Sequence, residues 1–149
     1  MGVVLTPSVA RVVNQGRVAR LATADRGGQP LVVPISYASN GRHCYSVVDL
    51  KPKQVDGARL KRIRNIQENP KVSLLIDHYE EDWSRLSYVI IQSRAELLSE
   101  GDEFRDAVEL LLAKYPQYRA MALDRERGIM IKMTPERVIE WRATPAEHA

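Results

Sequence analysis

Residues 31–48 read Leu31-Val32-Val33-Pro34-Ile35-Ser36-Tyr37-Ala38, then Ser39-Asn40-Gly41-Arg42, then His43-Cys44-Tyr45-Ser46-Val47-Val48. Two runs rich in β-branched and aromatic residues flank Asn40-Gly41, the strongest short-range hairpin signal. The pattern predicts a second strand over 31–38 and a third over about 43–48. A first strand comes before them, because Arg17 to Ala24 alternates and breaks at Asp25-Arg26-Gly27-Gly28. Further upstream, Thr6-Pro7 reads as an N-cap with proline at the first helical position. Val9, Val12 and Val13 mark the apolar face of that helix, and Gly16 supplies its stop.

Downstream, Asp56 can cap a helix whose Leu60, Ile63 and Ile66 form a narrow buried stripe, ending at Asn69-Pro70. Val72 to Ile76 reads as a fourth strand, followed by the acidic loop Asp77-His78-Tyr79-Glu80-Glu81-Asp82-Trp83. Leu86 to Leu98 reads as a long fifth strand, long enough to bend around a barrel. Asp102 then caps the clearest helix, in which Phe104, Ala107, Val108, Leu111, Leu112 and Tyr115 follow the helical spacing. Ile129, Ile131 and Met133 alternate as a strand interrupted at Thr134-Pro135, and Val138 to Trp141 completes the sheet. Short antiparallel strands with few helices predict an α+β fold, a small antiparallel barrel, as one domain over residues 1–149.

Composition narrows the function classes. Hydrophobic residues make up 44% and charged residues 28%, ordinary for a globular chain. Net charge is only +3, because acids at 77–82 and 96–109 offset a basic segment. A duplex-binding protein would more often carry an uncompensated basic face, and no aromatics interleave the basic run, so no nucleic-acid partner is expected. No apolar stretch approaches the ~20 residues of a membrane span. The N-terminus lacks the basic-then-apolar pattern of a signal peptide. Met1-Gly2-Val3-Val4-Leu5-Thr6 matches a myristoylation pattern, but that pattern is too short to carry weight. The expectation is a cytoplasmic protein with no membrane partner. Cys44, the single cysteine, lies inside a predicted strand and reads as a small buried hydrophobe.

No metal site is expected. His43, His78 and His148 lie far apart, and although His78 beside Asp77 and Glu80 could ligate a cation, a solvated acidic loop explains them as well. No G-x-S-x-G, Walker-type or G-x-G-x-x-G sequence occurs, which leaves a hydrolase or P-loop enzyme without support. The chemistry therefore concentrates between Lys51 and Arg64. Lys51, Lys53, Arg59, Lys61, Arg62 and Arg64 are broken by one acid, Asp56. A solvated helix face would give the same composition. The combination of a strand end, a Lys-Pro-Lys turn and a basic helix start points instead to an anion site, with Ser46 and backbone N–H groups as further donors.

The order of these blocks resembles the pyridoxamine phosphate oxidase-like split-barrel flavoproteins. The blocks are Arg17–Thr23, Pro30–Tyr37 and Tyr45–Lys53. Arg59–Ile66, Asn69–Leu75 and Asp77–Leu86 look like the actinobacterial branch known as deazaflavin (coenzyme F420)-dependent oxidoreductases. The resemblance implies a homodimer with cofactor bound in two clefts at the subunit interface. It places the phosphate on Lys61 and Arg62 at the helix start and on Ser46 of the third strand, which continues through Val47 and Val48. Lys51 and Lys53 would be further cations there. Val32, Val33 and Pro34 match the strand whose backbone lies along the ring. Tyr88 falls where pyridoxamine phosphate oxidases use glutamine, so vitamin B6 oxidation is not expected. Trp83 and Trp141 are candidate pocket walls.

The reaction implied is hydride transfer between deazaflavin and a small electron-poor substrate. No convincing catalytic residue is visible; Tyr88 and His78 are proton donors by residue type alone, and solvent could serve. FMN in the same site is the close alternative, and a dimer that stores or senses a flavin without turnover is a second. The surplus of cations favours the deazaflavin coenzyme, whose tail adds anionic glutamate.

Overall fold

A computed structural model describes residues 2–48 and 57–144, the side chains of 57–59 excepted. Lys51, Lys53, the Asp56 cap, the Arg59 side chain and His148 therefore lie outside the described residues.

The chain opens with helix α1 (Pro7–Gln15), in which Thr6 Oγ1 accepts from the Val9 amide at 3.4 Å and Pro7 occupies the first turn. Strands β1 (Ala19–Ala24), β2 (Pro30–Ile35), β3 (Ala38–Ser39) and β4 (Cys44–Val48) follow. Helix α2 (Gly57–Glu68) leads into β5 (Lys71–His78), a 3₁₀ turn at Trp83–Arg85 and β6 (Ser87–Leu98). Helices α3 (Asp102–Lys114) and α4 (Gln117–Ala120) precede the last strand, β7 (Ile129–Arg142). All neighbours in the sheet are antiparallel, in the order β2-β1-β5-β6-β7-β4-β3. Among the described residues no helix is long and apolar enough to cross a membrane.

The predicted second strand is split. Only Ser36 and Tyr37 separate β2 from β3, yet those strands form opposite ends of the sheet order. From Ile35 to Ala38 the backbone spans at most about 11 Å. The sheet must therefore curl until its two edges nearly meet, which makes it a half-barrel. The interior is filled by Leu21, Leu74, Ile91, Ile131 and Met133, with Val9 and Val13 from α1 and Ile63 and Ile66 from α2. A second core lies between α3 and the β3–β4 hairpin, where Phe104, Val108 and Leu111 pack on Tyr45 and Met130. Strand β4 thus contributes Cys44 and Val48 to one core and Tyr45 to the other. That explains why its sequence, Ser46 apart, is apolar on both faces rather than alternating.

Several expected boundaries move for identifiable reasons. Strand β7 is continuous through Pro135: Gln92 pairs with Arg137 and Ser93 with Pro135, so Glu136 is an extra residue. The bulge absorbs the amide that proline lacks. Leu60 is exposed, and the buried face of α2 turns instead to Ile63, Ile66 and Asn65. Asn65 is fully buried and donates to Thr23 Oγ1 at 3.0 Å, a polar link between α2 and β1. Helix α3 is capped by Gly101, with φ at 102°, and Asp102 sits in its first turn paired with Arg105.

Gly16 ends α1 for a reason other than a left-handed turn, since its φ is −63°. A Cβ there would lie 2.3 Å from Tyr37 Oη and 2.9 Å from Ile76 Cγ2. The helix end is pressed onto the Tyr37 side chain, whose hydroxyl donates to the Val13 carbonyl at 2.7 Å. Gly16→Ala is expected to cost about 1–3 kcal/mol in urea unfolding. In a Tyr37→Phe background, which removes the nearer obstacle, the same substitution should cost less. Equal costs in both backgrounds would show that the Tyr37 oxygen is not what excludes a side chain.

Candidate functional site

The curl of the sheet brings the end of β2 beside β4. Between them, with α2 and α4 closing the sides, is a pocket of about 200 Å³ lined by Pro34, Ile35, Ser36, Ser46, Val47, Val48, Arg62, Tyr118 and Met121. Ser46 is buried and pairs across the sheet with Ile131, so its hydroxyl is held on a rigid strand. Arg62 comes from α2 and is half-buried. The pocket therefore combines a fixed hydroxyl, a guanidinium and apolar strand edges, the donor set that recognises an oxyanion attached to a larger apolar body.

A second hollow, about 450 Å³, adjoins the first through Ser36, Tyr118 and Met121, and adds Arg17, Tyr115 and Gln117. Its wall is held by several contacts. Tyr115 Oη donates to the Arg17 carbonyl at 3.0 Å and accepts from the Tyr37 amide at 3.2 Å. The Arg17 guanidinium lies 4.6 Å from the Tyr115 ring centroid and donates to the Lys114 carbonyl at 2.9 Å. Behind this wall, Lys114 Nζ sits 3.8 Å from the Tyr37 ring centroid. Burial, reinforced by the nearby Arg17 charge, pulls the Lys114 ammonium down to about 8. Burial likewise holds the Tyr37 hydroxyl well above the usual tyrosine range.

The residues singled out from sequence divide by position. Pro34, Ser46, Val47, Val48 and Arg62 line one pocket. Val33 is buried in the barrel core, and Val32 is 61% exposed on the outer sheet face. Lys61 makes an ion pair with Asp25 at 3.6 Å, away from the pocket lining. Asp25 is itself held low, first by the Gln29 amide hydrogen bond and then by Lys61. Tyr88 stacks on Trp141, with centroids 5.4 Å apart. Trp83 is 66% exposed and its indole N–H donates to Tyr79 Oη, so neither tryptophan lines either pocket within this chain. His78 Nε2 lies 2.5 Å from Glu80 Oε2. Among the described residues no three His, Cys, Asp or Glu gather as a metal site. Cys44 is fully buried, its thiol pushed up to about 11 by burial.

Tyr118 and Met121 were not foreseen. Tyr118 lies in a four-residue helix after Tyr115-Pro116 and Met121 caps its end, a segment too short to show a period.

Solved structures with this fold are available for comparison. A conserved hypothetical protein from Mycobacterium tuberculosis aligns with a TM-score of 0.72 over 99% of this chain and 93% of its own, at 18% identity. An FAD-binding protein from Mesorhizobium loti aligns at 0.67 over 93% of both chains, at 23% identity. The heme storage protein HutZ of Vibrio cholerae aligns at 0.70 over 92% of this chain and 94% of its own, at 14% identity. At these identities the likeness concerns the fold. No curated protein matches the sequence. A family model described as pyridoxamine 5'-phosphate oxidase matches residues 5–142.

The lowered Lys114 predicts how stability follows pH. Its folded value lies below that of the unfolded chain, so from about 8 the unfolded chain binds more protons and stability rises with pH up to about 9. From about 9 the Cys44 thiol ionises in the unfolded chain while burial keeps it protonated in the fold, tyrosines follow above about 10 while Tyr37 resists, and the gain is offset. Urea midpoints measured from pH 7 to 9 should rise for the native protein and stay flatter for Lys114→Met. Parallel curves would show that Lys114 titrates normally.

Proposed function

The chain belongs to the pyridoxamine 5'-phosphate oxidase family, and on that premise we propose that it is an oxidoreductase using the deazaflavin coenzyme F420. The observation that carries the proposal is the convergence of Ser46, Arg62, Pro34 and Val48 on one pocket from three separate elements. In this reading Ser46 and Arg62 hold the phosphate, and the strand edges at Pro34 and Val48 support the ring. The donor set fits such a group: the hydroxyls of Ser46, Ser36 and Tyr118, the Arg62 guanidinium and apolar strand edges, with the adjoining hollow for the rest of the molecule. Lys51 and Lys53 follow β4 by only a few residues and are assigned to the anionic tail. Lys61, one position before Arg62, adds charge to the same helix start.

Bound there, the deazaflavin would supply two electrons as hydride to a small electron-poor substrate. The chain's own task is to bind, orient and exclude water, for which Tyr115, Tyr118 and Met121 are placed along the adjoining hollow. Neither Tyr88 nor His78 lines these pockets, and the proton is assigned to solvent.

The proposal includes a homodimer. Its support is the outer face of the sheet, where Leu75, Ile90 and Ile139 are aligned by register and Val32 stands exposed nearby. Such a half-buried apolar stripe on the outer face is what a partner copy would cover. On that face, Val32 and the Tyr88–Trp141 stack would reach the cleft between subunits.

Two outcomes test these statements. Titration with F420 and with FMN, followed by tryptophan fluorescence, should show tighter F420 binding, and Ser46→Ala with Arg62→Ala should weaken it at least tenfold, about 1.4 kcal/mol. Tighter FMN binding with no hydride delivery from reduced F420 would move the assignment to an FMN enzyme. Ile90→Glu should convert a two-chain species to one chain in sedimentation velocity. A native protein that sediments as a single chain at micromolar concentration would remove the dimer.

A further inference from the structure

A third cavity, about 500 Å³, shares no lining residue with the two pockets above. It forms where the ends of β5, β6 and β7 meet α1. His78 pairs in register with Ser87, and Ser87 with Arg142. Side chains directly opposite on adjacent strands stand about 5 Å apart at Cβ, so these three line one edge of the opening. Two residues before His78, Ile76 points into the core, which fixes His78 on the same face. Helix α1 contributes Arg11 and Gln15 from across the opening, and the 3₁₀ turn contributes Arg85.

The charge in this cavity is lopsided. Three guanidiniums, an imidazole, a hydroxyl and an amide face a single lining carboxylate, Asp77, which is engaged with Arg20 at 3.4 Å. Glu80 holds Arg85 at 3.1 Å and also contacts His78, while Glu140 reaches Arg142 at 3.4 Å. No carboxylate pairs with Arg11 among the described residues. The existing pairs are surface contacts, which hold weakly and exchange readily for a better anion. Donors converging from a helix, a turn and three strands suit a tetrahedral dianion, whereas a planar carboxylate is saturated by two guanidinium forks.

We propose that this cavity binds the phosphate group of a small molecule, at a site separate from the cofactor pocket. The inference stands whether or not the F420 assignment holds.

Trp83 and Trp141 lie next to the cavity's Arg85 and Arg142 by two and one residues, and give an intrinsic reporter. The purified protein would be titrated with inorganic phosphate and with glycerol 3-phosphate, against sodium chloride at matched ionic strength. Saturable fluorescence changes with an apparent Kd below about 1 mM are expected, accompanied by a rise in Tm. Tighter binding of the ester would identify the ligand as an organic phosphate; tighter binding of the free ion would identify phosphate itself. Arg11→Gln and Arg142→Gln, each checked by circular dichroism, should raise the Kd at least tenfold, and Arg64→Gln, on an exposed part of α2, should not. A response no different from chloride, or an unchanged Kd in both cavity variants, would overturn the proposal. A response that survives both but disappears in Ser46→Ala would place the phosphate in the first pocket and equally overturn it.

Discussion

The Tyr37 side chain is the fixed point of this fold. It is fully buried; its hydroxyl donates to α1, its amide donates to Tyr115 at the end of α3, and its ring lies under Lys114. It also occupies the two-residue link that joins the opposite edges of the sheet. A phenol buried this way must find a partner for its proton, and the Val13 carbonyl at the end of α1 supplies one. The same contact leaves no room for a side chain at Gly16. One residue thus sets where the first helix stops, how far the sheet curls and where the second core begins.

That arrangement builds the site. A flat seven-stranded sheet would hold Pro34 and Ser46 at opposite ends. The curl sets them on one pocket, and α2 then adds Arg62 to it. Tyr115, tied to Tyr37, forms the wall of the adjoining hollow, so the pocket's shape inherits its rigidity from the closure of the barrel. Proteins with the same architecture hold groups as different as FAD and heme by their descriptions. The fold alone accordingly does not set what such a protein holds.

Much of this was legible in the chain. Thr6-Pro7, the Asn40-Gly41 hairpin and the spacing of Phe104 to Tyr115 are local signals, and each marks the element it should. Tertiary effects account for the misreadings. Pro135 looked like an interruption because a bulge is defined by the partner strand, which sequence order does not reveal. Leu60 looked buried because period alone cannot say which way a helix rolls when a buried Asn65–Thr23 bond competes for the interface. The split at Ser36-Tyr37 was hidden because both halves have strand composition. Of the strand residues named from their order, Pro34, Ser46, Val47 and Val48 line the pocket and Val32, Val33 and Tyr88 do not, whereas Tyr118 and Met121 come from a segment with no pattern of its own.

The wiring of the sheet also has a kinetic consequence. The β1–β2 and β5–β6 pairs join neighbouring stretches of chain and can form early. Strand β4 pairs with β7 across eighty residues of intervening chain. Non-local pairing of that kind places the fold among the slower single domains, on the order of milliseconds to seconds. Until β7 arrives, the small β3–β4 ribbon has an open hydrogen-bonding edge and an apolar surface on both faces. Its passage through the unfinished state, rather than the finished barrel, is where this protein is most exposed to aggregation.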